Sequence, residues 1–189
     1  MAFDPLSGHC NNPVVRHDVV TAVGCLALLL APWVHAQEAR NLPDYLAGKR
    51  VATRKILELA KTISEEKRSL MAMAADADDL QVTNVWAVQL DQQMTGLTRN
   101  PPARPGGAFT IAQLRAYFTA RYQQARVALQ QRAAALVETI SSQTFPKRNQ
   151  RELATLRVRL MEAQWLATLA QAELSDVEAL QRETVGGAK

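Results

Sequence analysis

This chain divides at residue 36, and the division limits what its folded part can be built from. Val19 to Trp33 (VVTAVGCLALLLAPW) is an apolar run, followed by Val34-His35-Ala36 and then Gln37. The length of the run and the residues before the junction match a secretory signal peptide cut between Ala36 and Gln37. The run is shorter than the roughly 20 apolar residues that a spanning helix needs. Asp4 and Asp18 offset Arg16, where a signal usually carries clear positive charge. An uncleaved N-terminal anchor, a start downstream of Met1, and a buried helix of an unexported domain are therefore the alternatives. Ala22-Val23-Gly24-Cys25 is no lipobox, because the apolar run continues past Cys25. Every histidine (His9, His17, His35) and both cysteines (Cys10, Cys25) precede the cut. What remains has no disulfide, no thiolate or imidazole metal ligand, and no His- or Cys-assisted nucleophile. Helix packing has to supply its stability.

The part from Gln37 to Lys189 is long enough for one domain with a real core. It is rich in Ala, Leu, Gln, Arg and Glu, the composition of long helices. A helical pattern starts near Asp44, a candidate cap. Ile56, Leu59, Ile63, Leu70, Met73, Ala77 and Leu80 recur at three- and four-residue steps. The pattern resumes through Val82, Trp86, Leu90, Met94 and Leu97, so one long helix, kinked where Asp76, Asp78 and Asp79 weaken it, is expected over about 44–98. Arg99 to Ala108 (RNPPARPGGA) is a linker, since three prolines and two glycines break any helix. Thr110 and Gln113 then form a capping box, with Phe109 stapled onto Leu114.

The second helix is expected over about 110–142. Ile111, Leu114, Phe118, Tyr122, Ala125, Leu129, Leu136 and Ile140 make one apolar stripe. Arg115 and Arg126 fall on one flank of it, and Arg121 and Arg132 on the other, as at the e and g positions of a coiled coil. A third helix is expected over about 146–183. Leu153, Leu156, Leu160, Leu174 and Val177 mark one face; Met161, Trp165 and Leu169 mark another. Apolar on two sides, this helix is either central or meets an external partner. Lys147, Arg148 and Arg151 crowd its start, against the helix dipole.

Charge is unevenly spread. Losing Arg16, Asp4 and Asp18 from totals of 22 basic and 18 acidic residues leaves the exported part net basic. Arg99 to Arg159 holds eleven basic residues, with Glu138 and Glu152 as its only acids. Glu162, Glu173, Asp176, Glu178 and Glu183 then crowd the last stretch, beside few cations. An antiparallel hairpin of the second and third helices sets those acids beside Arg115, Arg121 and Arg126.

The remaining motifs point away from catalysis. Gly106-Gly107 belongs to the linker and is no phosphate loop. Glu65-Glu66 and Asp76-Asp78-Asp79 lack the glycine and distal glutamate of a calcium loop. Phe109 to Arg126 is basic and aromatic, but Phe118 and Tyr122 lie on the apolar stripe, which argues for core and not for base stacking.

The expected fold is all-α: three long helices in an antiparallel bundle or elongated coiled-coil hairpin, with 1–36 as signal peptide and 37–189 as a single helical domain. The expected function is that of an exported, non-enzymatic interaction protein of the bacterial cell envelope. A periplasmic holdase-type chaperone and a cation- or ligand-binding bundle are the alternatives. The expected interface combines Trp165, Met161 and Leu169 with Arg115, Arg121, Arg126 and Arg132, facing a protein partner, a second copy or an anionic envelope surface. Neither cofactor nor nucleic acid is expected. In architecture, an exported, cysteine-free, Ala/Gln-rich helical chain of this size resembles the minor-pilin subunits of type IV secretion or conjugation systems. That resemblance implies an accessory role in such an apparatus and assigns no residue.

Overall fold

A computed structural model of the chain describes residues 41–74, 84–85, 87–92, 103–145 and 147–186. The signal segment, the junction at Ala36 and Gln37, the three-aspartate cluster and Trp86 lie outside the described residues. Helix α1 is Leu42–Ala74. Its cap lies three residues before the expected Asp44: the Asn41 side-chain oxygen accepts the Asp44 N–H at 2.9 Å, while the Asp44 carboxylate sits in the first turn, where the helix dipole favours it. Residues 84–85 and 87–92 are also helical. Helix α2 is Ile111–Phe118. It runs through a π-helical turn, Thr119–Gln123, into helix α3, Gln124–Ser142. Helix α4 is Arg148–Gly186. Among the described residues there is no strand, and no helix is long and apolar enough to cross a membrane.

Helix α4 is the centre of the bundle. Helix α1 packs along it, and α3 packs on it as well. The direction of α1 follows from its contacts. Tyr45 and Leu46 share a cluster with Val177 and Leu180, while Met71 packs with Leu153 and Leu160. The two helices are therefore antiparallel over almost their whole length. Helices α2 and α3 are antiparallel to α4 too, because Arg121 reaches Asp176 and Arg126 reaches Glu173. Both α1 and α3 thus pack on α4 while running against its direction.

Of the kinked helix expected over about 44–98, the structure describes α1, Leu42–Ala74, and the helical residues 84–85 and 87–92. The kink expected at Asp76, Asp78 and Asp79 lies outside the described residues. Within the linker, Arg104 lies 2.6 Å from Glu183, at the end of the bundle where α1 starts.

The apolar stripe read along α1 also needs correction. Ile56 is buried, but Leu59, Leu70 and Met73 are exposed. The inward face runs through Tyr45, Leu46, Lys49, Thr53, Ile56, Leu57, Ala60, Ser64 and Met71. Three of those are polar and find partners inside. Ser64 donates to the Ala60 carbonyl at 2.8 Å, and Lys49 and Thr53 both reach Glu173. A pattern search restricted to apolar residues misses such a face.

The other local signals fold as read. Thr110 and Gln113 form the capping box: the Thr110 hydroxyl accepts the Gln113 N–H, and the Gln113 side chain accepts the Thr110 N–H at 2.8 Å. Phe109 packs on the cluster that holds Leu114. Gly107, at φ 73°, supplies the left-handed turn before this cap. Leu114, Phe118, Tyr122, Ala125, Leu129, Leu136 and Ile140 are all buried. The cations at the start of α4 gain a reason. Arg151 donates to the Gln143 carbonyl at 2.7 Å and lies over the Phe145 ring, closing the turn between α3 and α4.

Candidate functional site

The most concentrated chemistry of the molecule lies where α1, the π-turn, α3 and α4 meet. Glu173 of α4 has no exposed surface. Its carboxylate accepts from the Thr53 hydroxyl at 2.5 Å and forms an ion pair with the Lys49 ammonium at 2.8 Å. Arg126 approaches the other oxygen at 3.4 Å. Lys49 also lies 4.8 Å from the centroid of the Phe118 ring, a cation–π contact in a dry setting. Burial pushes the Lys49 ammonium down to about 8, with Glu173 pulling the other way. Burial lowers Arg126 as well, again opposed by Glu173.

One turn further along α4, Asp176 gathers a second set. It accepts from the Tyr117 hydroxyl at 3.0 Å and from the Tyr122 hydroxyl, and forms an ion pair with Arg121 at 3.0 Å. The Arg121 guanidinium also donates to the Tyr117 hydroxyl and lies 5.0 Å from the Tyr122 ring centroid. Burial, reinforced by Asp176, raises both tyrosines above their ordinary value. The rings of Tyr117, Phe118 and Tyr122 meet edge-on or tilted, at centroid separations from 5.2 to 6.5 Å.

The π-turn makes the two sets compatible. In an uninterrupted helix Tyr117 and Arg126 are nine residues apart and point to opposite sides, at about 100° per residue. A π-turn takes up one extra residue, which sets everything after it back by about that angle. Tyr117 and Arg126 then face α4 together, and so do Arg121 and Arg126, which the unbroken pattern put on opposite flanks. A second buried carboxylate, Glu162, pairs with Arg159 at 2.7 Å; burial raises its pKa and Arg159 opposes the shift.

The residues expected to form an external interface are therefore spread between interior and surface. Arg126 is buried against Glu173, and Arg121 is committed to Asp176. Leu169 is buried, while Met161 and Trp165 are half-buried on the central helix. Arg132 is half-buried, and the exposed Arg115 lies over the Tyr45 ring at 5.8 Å. The structure gathers Arg121 and Arg126 at one centre and leaves Arg115, Arg132, Met161 and Trp165 apart from it. Glu173 was expected beside Arg121 and Arg126, but Lys49 and Thr53 escaped the sequence reading, although they lie one turn apart and in step with Ile56 and Ala60.

The outer side of α1 carries four exposed large apolar residues, while Val85, Val88 and Val185 are exposed elsewhere. Val51, Leu59, Leu70 and Met73 are 56%, 43%, 37% and 77% exposed. Beside Val51 lies a groove of about 430 Å³, lined by Ala47, Arg50, Arg54, Lys55 and Glu58 of α1 and by Gln181 of α4. Arg50 is tied to Glu178 at 3.6 Å. Of the acidic clusters, Glu66 is paired with its neighbour Lys67 at 2.9 Å, and no three potential ligands converge among the described residues. Comparison of the chain with protein families, with curated proteins and with solved structures finds no match.

Proposed function

We propose that the chain is an exported, non-enzymatic interaction protein of the bacterial cell envelope, an accessory subunit of a secretion or conjugation apparatus, that docks a protein partner along the outer side of α1. The observation that carries this reading is the row of exposed Val51, Leu59, Leu70 and Met73. On the second apolar side of α4 Leu169 is buried and Met161 and Trp165 are half-buried, and Glu173 and Asp176 hold helices together instead of facing a cleft. Four exposed large apolar residues along one helix exceed what scattered surface exposure accounts for. Export rests on the run Val19–Trp33 and the junction at Ala36.

A photo-crosslinking residue at Leu59 or Met73, introduced in the cells that make the protein, tests the docking side. A discrete adduct in the envelope fraction, absent when the probe replaces the exposed Gln171 of α4, supports it. No adduct from either α1 position refutes it. A purified product that begins at Gln37 supports export; a full-length cytosolic product refutes it. The holdase reading draws on the same exposed residues and separates by assay. Suppressed aggregation of an unfolded client that disappears in Leu59→Ser/Met73→Ser favours it over a dedicated partner.

A further inference from the structure

We propose that the groove at the start of α1 is a binding site for the phosphodiester headgroup of an anionic phospholipid. Two of its cations are uncommitted. Arg50 is drawn to Glu178, but among the described residues neither Arg54 nor Lys55 forms an ion pair or a side-chain hydrogen bond. Both are exposed, they flank the groove, and Ala47 and Val51 supply its apolar part. Glu58 on the rim offsets one charge and leaves an excess of cation over carboxylate within the lining. Arginine offers a planar fork to phosphate oxygens, and lysine a compact charge that follows them. A groove of this volume admits a phosphate with its glycerol, and the more-than-half-exposed Val51 suits the boundary where headgroup gives way to acyl chain.

The source of the phosphate follows from the exported reading, on which this inference rests: a chain delivered to the envelope meets membrane phospholipid, whose anionic headgroups attract clustered lysine and arginine. The arginine-rich stretch from Arg115 to Arg132 is the more obvious anionic-surface contact in the sequence, yet Arg121 and Arg126 are consumed by Asp176 and Glu173.

Sedimentation with vesicles of the chain as isolated from the cells that make it tests this. Vesicles holding about 30% phosphatidylglycerol are compared with pure phosphatidylcholine, so that binding unrelated to headgroup charge cancels. Arg54→Gln/Lys55→Gln is expected to lower the phosphatidylglycerol-dependent part of binding about tenfold. The charge-matched pair Lys61→Gln/Arg68→Gln, on the same helix outside the groove, is expected to lower it less than threefold. Equal losses from the two pairs mean diffuse attraction and overturn the site. So does the absence of any preference for phosphatidylglycerol. Saturable binding of free glycerophosphate with no vesicle preference overturns the lipid source. Matching thermal melts of the variants and the parent exclude misfolding as the cause.

Discussion

The Glu173 carboxylate of α4 meets the Lys49 ammonium of α1 at 2.8 Å, with no solvent access to the acid and almost none to the base. Arg126 stands on the other side of the same carboxylate. One buried anion therefore serves two buried cations, and the two kinds of substitution have opposite consequences. Glu173→Gln leaves two cations without their counterion in a dry site, and is expected to destabilise the fold by about 3–5 kcal/mol. Lys49→Met keeps the Arg126–Glu173 pair and removes the desolvated ammonium, so it is expected to be neutral or stabilising. Urea denaturation of both variants measures the contrast. A Lys49→Met loss as large as that of Glu173→Gln would show that the lysine is a net stabiliser.

The same lysine sets a pH dependence. Its pKa is about 8 in the folded chain, against an ordinary 10.5. Between those values the unfolded chain holds a proton that the folded chain has released, so stability rises with pH across this window. Tyr117 and Tyr122 act oppositely. Their folded values lie above 10, so the unfolded tyrosines ionise first and stability falls as pH passes 10. Stability is expected to climb from about pH 8 to a maximum near pH 10 and then decline. Lys49→Met should abolish the climb and keep the decline. Thermal melts from pH 7 to 11 measure both limbs; a flat lysine window in the parent chain contradicts the assignment.

Leu57 and Leu59 separate the observed core of α1 from the one its spacing suggests. Leu57 is 6% exposed and Leu59 43%. Leu57→Ala is expected to cost about 2–5 kcal/mol, the range for a buried leucine whose site collapses only in part. Leu59→Ala is expected to stay within about 0.5–1 kcal/mol. Equilibrium unfolding in urea distinguishes them, and a larger loss at Leu59 would place the outer side of α1 in contact with the bundle.

Those two leucines also show where sequence reasoning held and where it stopped. The cap at Thr110 and Gln113 is local chemistry between neighbours, so four residues sufficed to place it. The stripe from Leu114 to Ile140 was legible because nearly every inward position on it is apolar. On α1 the inward face carries Lys49, Thr53 and Ser64, and a search for apolar recurrence turned toward Leu59, Leu70 and Met73 instead. The pairing of Glu173 and Asp176 with Arg121 and Arg126 could be foreseen from charge asymmetry and a short turn. The addition of Lys49 could not, because it depends on which helix lies on the far side of α4.

The π-turn is the local feature on which the polar centre depends, and its removal is the strictest test. Ala120 is an exposed residue within Thr119–Gln123, so deleting it removes no packed side chain. The deletion converts the turn to regular α-helix and puts Tyr117 and Arg126 eight residues apart, at about 100° each, which is the phase that nine residues with a π-turn give. Both clusters are therefore expected to survive, with stability within about 1 kcal/mol of the parent. Inserting a second alanine after Ala120 instead turns α3 by about 100° against α2, so that either Arg126 leaves Glu173 or Tyr117 leaves Asp176, at an expected loss of about 2–4 kcal/mol. Double-mutant cycles locate it. In the parent and in the deletion variant, Arg126–Glu173 and Tyr117–Asp176 should each show coupling above about 0.5 kcal/mol. In the insertion variant one of the two couplings should vanish. Loss of a coupling in the deletion variant would mean that the π-turn is not what aligns Tyr117 and Arg126 on α4.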